Sequence, residues 1–181
     1  MAKLVSQVYG EALFELARER GMIAQFSEEL TELTRLMDEY PDYLALLTHP
    51  RLDEDKKQEL FEQVFAGRLC QELSGFCRIL LKKGRFGELD RIVGCFEEKR
   101  LEFEKTGVAW VSSPIVLTGA QKEKIEKRLL ETTEYVSMQM HYDVRPELIG
   151  GVKIRIGDRV VDSSIQRKLN DMKNELMKIQ L

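Results

Sequence analysis

A chain of 181 residues with 43% hydrophobic and 33% charged residues fits a globular protein of one or two domains with a wet, mixed-charge surface. Its net charge of −3 argues against broad binding to a phosphate backbone, which needs a basic face. No apolar run approaches the roughly 20 residues that span a bilayer, and the N-terminal MAKLVSQVYGEALFELARERG carries acidic residues and no apolar block with a small-residue cleavage site, so it reads as neither signal nor transit peptide.

Residues 4 to about 105 read as helix in six segments. The first runs from Leu4 to Arg20, with Val5, Val8, Ala12, Leu13 and Leu16 as its apolar face and Gly21 as its end. The second carries Ile23, Phe26, Leu30, Leu33 and Met37 and stops before Pro41. A short third covers Tyr43 to Leu47. Asp53 and Glu54 open the fourth, where negative charge favours the positive helix end, with Leu60, Phe61, Val64 and Phe65 inward. The fifth holds Leu69, Leu73, Phe76, Ile79 and Leu80 and ends at Gly84. The sixth begins near Gly87 and uses Leu89, Ile92, Val93, Phe96 and Phe103. Short connections between amphipathic helices imply antiparallel neighbours in a compact bundle.

The period changes near Thr106-Gly107. Val108 to Ser113 favours strand and Pro114 breaks it. Thr118 with Gln121 is a capping pair before a helix through Ile125 and Leu129. Val136, Met138, Met140 and Tyr142 alternate with polar residues, which is strand period. Gly150-Gly151 interrupts the chain. Val152, Ile154 and Ile156 then alternate with Lys153 and Arg155, Gly157-Asp158 is a tight-turn pair, and Arg159 to Asp162 returns as a second strand. Ser163 with Gln166 reads as the cap of a terminal helix whose stripe is Ile165, Leu169, Met172, Leu176 and Ile179. That stripe packs on its own sheet or pairs with another helix; spacing leaves both open. The fold class is α+β: a six-helix bundle over 1–105, then a small α+β domain over 106–181 with a terminal helix.

Residues with reactive potential do not assemble into a site. The P-loop pattern, a G-x-G-x-x-G after a strand and a nucleophile elbow are all absent. His49 and His141 lie far apart, with no second ligand at helical or loop spacing. KKGRFGE at 82–88 offers glycines and positive charge near a helix start, where phosphate can bind, but a helix end, a turn and a helix start explain it better. Met138, Met140, Met172 and Met177 read as core filling rather than an adaptable binding surface. Cys70, Cys77 and Cys95 are odd in number and unclustered, which suggests reduced, buried, structural thiols. The expectation is no catalytic residue, no metal and no cofactor.

The run ELIGGVKIRIGDRVVDSSIQRKL resembles the C-terminal signature of the delta subunit of F-type ATP synthases, whose mitochondrial counterpart is the oligomycin-sensitivity-conferring protein. YGEALFELA, HPRLDEDKKQELFEQVF and FCRILLKKGRFGELDRIV resemble that family's first helix and its fourth to sixth, in collinear order. Arg145 and Ser163 depart from its commonest pattern, both at turn or cap positions. The resemblance implies a non-catalytic stator subunit, one copy per complex, on the cytoplasmic face of a bacterial membrane. It implies that the helical domain holds N-terminal helices of alpha subunits and that the C-terminal domain holds the distal end of the b-subunit stalk. It points to a groove between the first and fifth helices, with Tyr9, Ala12, Leu13 and Leu16 on one and Phe76, Ile79, Leu80 and Lys83 on the other. Helical spacing does not separate a groove wall from an inward stripe. The competing reading is a helical adaptor or nucleic-acid-binding module of another assembly, which the acidic balance disfavours.

Overall fold

The computed structural model describes residues 2–179, with side chains from 5 to 177. It divides into two compact units, Met1–Arg100 and Leu101–Leu181. The first contains α1 (Ala2–Arg20), α2 (Ile23–Glu39), α3 (Pro41–Thr48), α4 (Glu54–Phe65), α5 (Gln71–Lys82) and most of α6 (Leu89–Phe103).

Glycine ends two of these helices by the same device. Gly21 and Gly84 have φ of +66° and +62°. The amide of Met22 reaches back to the Ala17 carbonyl, and that of Arg85 to Leu80, at 2.9 Å each. Both are six-to-one closures that satisfy last-turn carbonyls, and they need a left-handed residue that glycine supplies without steric cost. α2 ends at Glu39, and Pro41 then opens α3, where its missing amide costs nothing. The KKGRFGE run is a helix end, that glycine turn and a short 3-10 turn at Phe86–Glu88.

The core of this unit is built from one face of each helix. Phe26, Leu30, Leu33 and Met37 of α2 are buried as their spacing requires. Phe14 and Phe96 meet edge to face at 6.0 Å, and Phe61 stacks on Phe65 at 4.7 Å. α1 corrects the sequence reading. Its inward residues are Ser6, Gly10, Leu13, Phe14 and Ala17, while Val8 and Ala12 face solvent. The buried face is turned by roughly a third of a turn from the expected one. The reason lies at Gly10: a Cβ there would come within 2.6 Å of the Cys95 Cβ and 3.0 Å of the Ile92 carbonyl. Small residues let α1 approach α6 closely, so the bulkier aliphatic stripe is left outside. Likewise Val64, Ile79 and Phe103 are exposed rather than inward, and Cys77 and Leu81 fill the places beside Leu73 and Leu80. Of the three thiols only Cys77 is fully buried; Cys70 and Cys95 are partly exposed.

The second unit carries β1 (Thr106–Ser113), α7 (Gly119–Thr132), β2 (Ser137–Val144), β3 (Lys153–Ile156), β4 (Arg159–Asp162) and α8 (Ile165–Ile179). The sheet order is β2-β1-β3-β4, with β1–β2 parallel and the other pairs antiparallel. A helical crossover, α7, is what a parallel β1–β2 pair requires. Gln121 Oε1 accepts from the Thr118 amide at 2.9 Å, so that capping pair forms. Val136 precedes β2 rather than belonging to it. Gly157, φ +54°, makes the two-residue turn between β3 and β4.

The cap of α8 sits one residue later than expected. Ser164, buried, accepts from the Arg167 amide at 3.2 Å, while the Ser163 hydroxyl donates to the Val152 carbonyl at 2.8 Å and pins the hairpin. Asp162 Oδ1 accepts from the Ser164 amide at 3.0 Å. α8 then presents Ile165, Leu169, Met172 and Leu176 to solvent. The Ile179 side chain lies outside the described residues.

Candidate functional site: an apolar line between the first and fifth helices

α1 and α5 meet through side chains at two places. Tyr9 meets Phe76 edge to face at 6.2 Å, and Arg20 lies 3.9 Å from Glu72. The Arg85 guanidinium sits 5.7 Å from the centre of the Tyr9 ring, which favours a cation over its electron-rich face.

The eight residues named from sequence separate into two sets. Leu13 and Leu80 are 1% and 0% exposed and belong to the core, so they touch nothing outside a folded bundle. Ala12, Ile79 and Lys83 are exposed, with Ile79 at 51%, and Tyr9, Leu16 and Phe76 are half-buried. Phe76 and Ile79 stand at i and i+3 on one face of α5, with Lys83 at its C-cap; Leu73, Cys77 and Leu80 form the adjacent inward face. Val8, at 59% exposure, extends the outward line and was assigned by spacing to the core. Gly10 was the signal that would have corrected it: a glycine inside a helix costs about 1 kcal/mol relative to alanine, which is tolerated where helices pack closely.

The line offers a partner apolar contact with a cationic end, and no acid–base pair. Burial raises the Cys77 thiol to about 12, and burial likewise raises Tyr43, to about 12. The Tyr43 hydroxyl donates to the Leu60 carbonyl at 3.1 Å. Among the described residues no group of three His, Cys, Asp or Glu side chains is placed to hold a metal ion. His49 Nδ1 accepts from the Arg51 amide, and His141 stacks on Trp110. Met138 and Met140 are half-buried while Met172 and Met177 are exposed, so the four are not a common core.

The family model described as ATP synthase delta (OSCP) subunit matches residues 5–176. The chain belongs to this family. It is 42% identical over 181 residues to ATP synthase subunit delta of Lachnoclostridium phytofermentans, covering all of both chains. The corresponding subunit of Lysinibacillus sphaericus is 30% identical over 173 residues, covering 96% of this chain and 97% of that one. That of Alkaliphilus oremlandii is 32% identical over 183 residues, covering 99% of each. A chain of the Toxoplasma gondii mitochondrial ATP synthase hexamer, seen by cryo-electron microscopy, shares the fold at a TM-score of 0.69 and 16% identity, covering 95% of this chain and 97% of that one. As a delta-family member the chain is a non-catalytic subunit of the peripheral stalk of an F-type ATP synthase, linking head to stalk. No helix among the described residues is long and apolar enough to cross a membrane.

Proposed function

We propose that the line between α1 and α5 receives the N-terminal helix of an alpha subunit, and that the exposed stripe of α8 receives the distal end of the b-subunit stalk. One copy of the chain then ties stator to head at the cytoplasmic face of a bacterial membrane. Rotation driven by proton flow is resisted because the joint stays closed under load. A joint of that kind needs affinity near nanomolar, about −12 kcal/mol, and an amphipathic helix laid on buried apolar anchors supplies it.

The observation that carries this reading is that Val8, Ala12 and Ile79 are exposed on the two helices that meet at the Tyr9–Phe76 contact, in a bundle whose core is already filled from other faces. Binding of a peptide copying the alpha-subunit N-terminus, measured by calorimetry, tests it. Ile79→Asp and Tyr9→Ala should each weaken binding by about tenfold or more, roughly 1.4 kcal/mol, with helical circular dichroism unchanged. Unchanged affinity in both variants would remove the assignment, and so would loss of helicity alongside loss of binding.

A further inference from the structure

The turn that follows α5 does more than end a helix. Gly84, at φ +62°, lets the Arg85 amide reach the Leu80 carbonyl at 2.9 Å, which fixes the backbone of Arg85. Phe86 is 1% exposed and meets Phe61 edge to face at 5.8 Å, so the turn is anchored in the core. From this base two side chains reach α1. Glu88 Oε2 accepts from the hydroxyl of Ser6 at 2.7 Å, and Ser6 is buried. The Arg85 guanidinium lies 5.7 Å from the centre of the Tyr9 ring. Ser6 and Tyr9 stand at i and i+3, neighbours on one side of α1.

The two contacts do different things. α1 is already held by Ser6 on Glu88 and by Gly10, packed so closely that a Cβ there would come within 2.6 Å of the Cys95 Cβ. Its backbone does not need Arg85. Nor does α5 need Arg85 as a cation near its negative end, since Lys82 closes its last turn and Lys83 is its C-cap. Arg85 forms no ion pair within 4 Å among the described residues. What it touches is a half-buried ring at the α1–α5 line, whose other aromatic neighbour is Phe76, 6.2 Å away with planes 70° apart.

We propose that Arg85 is a positioning residue that acts through Tyr9. The attraction of its cation to the ring holds Tyr9 against Phe76, so the aromatic pair is set before a partner helix arrives. A side chain left to swing in the free chain has to be immobilised on binding, and ordering one such side chain weakens affinity by about two- to tenfold. Arg85 removes that loss without touching the partner. The effect on binding rests on the assignment of the line to an alpha-subunit helix; the ordering of the ring does not.

Nuclear magnetic resonance of the full chain, with 13C in the rings of its five tyrosines, tests both parts. Tyr9→Phe identifies the signal of residue 9. Arg85→Gln should move that signal at least about halfway towards its unfolded-chain position, while the other tyrosine signals stay in place and report an intact fold. Arg85→Lys, which keeps a cation, should retain most of the original displacement. Lys82→Gln, which removes a cation from the same helix end, should leave the signal unmoved. With a peptide copying the alpha-subunit N-terminus, Arg85→Gln should weaken binding by about two- to tenfold. Arg85→Lys should recover most of that loss, and Arg85→Gln in a Tyr9→Leu background should lose nothing further. A Tyr9 signal indifferent to Arg85→Gln would overturn the proposal. So would an equal shift in Lys82→Gln, movement of all the tyrosine signals together, or an equal loss of affinity in the Tyr9→Leu background. If the wild-type chain binds no peptide while the ring signal still follows Arg85, the alpha-subunit assignment fails and the positioning role stands.

Discussion

At the scale of single residues, the strongest local demand is at Ile149. It has φ +64° and ψ −44°, and the Gly150 amide donates to the Leu148 carbonyl at 2.7 Å across it. That is a tight γ-turn of the strained hand, centred on a β-branched residue whose side chain is mostly exposed. Strain of this kind costs about 1–3 kcal/mol, against a chain-entropy penalty of roughly 0.5–1 kcal/mol for glycine. Ile149→Gly should therefore stabilise the second unit by about 1 kcal/mol, read as a higher urea midpoint; a lower midpoint would show that the isoleucine contributes packing. Gly10 makes the opposite case. Gly10→Ala forces a Cβ against Cys95 and should destabilise by about 1–3 kcal/mol. Gly94→Ala, with nothing within 4 Å of the new Cβ, should gain about 0.5–1 kcal/mol in the interior of α6. Asp162 supplies a pH signature. The Ser164 hydroxyl and amide, then Lys153 and Arg167, hold its carboxyl below its ordinary 3.8. A depressed folded value means stability present above 3.8 and lost as pH falls through the lower folded value. Asp162→Asn should flatten that acid limb of the stability curve, and an unchanged limb would contradict the assignment.

At the scale of elements, what the sequence made legible follows from how local each signal is. Gly21, Gly84 and Gly157-Asp158 announced their turns because each needs only its own neighbours. The period-2 runs of β2 and β3 were legible for the same reason, although only the structure shows that β2 lies parallel beside β1 through a crossover. The rotation of α1 was not legible from apolar periodicity. Val5, Val8, Ala12 and Leu16 form a better stripe than Ser6, Gly10 and Ala17, and the outcome was decided by how closely α6 approaches. Two of the eight candidate residues, Leu13 on α1 and Leu80 on α5, belong to the core instead, while Val8 and Ile79 face outward. The cap of α8 failed similarly, since Ser163 and Ser164 are both competent and the hairpin claimed Ser163 for Val152. These rotations have measurable consequences. Leu13→Ala should cost the bundle about 2–5 kcal/mol by opening a core cavity, whereas Val8→Ala should change stability by less than about 0.5 kcal/mol. Similar unfolding midpoints for the two would mean that the faces of α1 are wrongly assigned.

At the scale of the whole molecule, the two units differ in how much they bury. The first closes nineteen buried apolar residues into one cluster, whereas the fully buried apolar side chains of the second are Ala109, Val111 and Leu148 among the described residues. A unit of about 80 residues with so thin a core has little stability to spare. Its exposed α8 stripe, Ile165, Leu169, Met172 and Leu176, is the surface that the proposed stalk partner would cover. Calorimetry of the chain alone should therefore show two transitions, with the sheet unit melting first. Hydrogen exchange should find β1–β4 amides opening at lower free energy than those of α2 and α5. A partner that binds only the folded second unit adds about 2.7 kcal/mol when present at a hundred times its dissociation constant. The lower transition should then rise towards the upper one while the upper stays in place. A single cooperative transition in the free chain would refute this division of stability, because the helical core would then be holding the sheet unit folded without any partner.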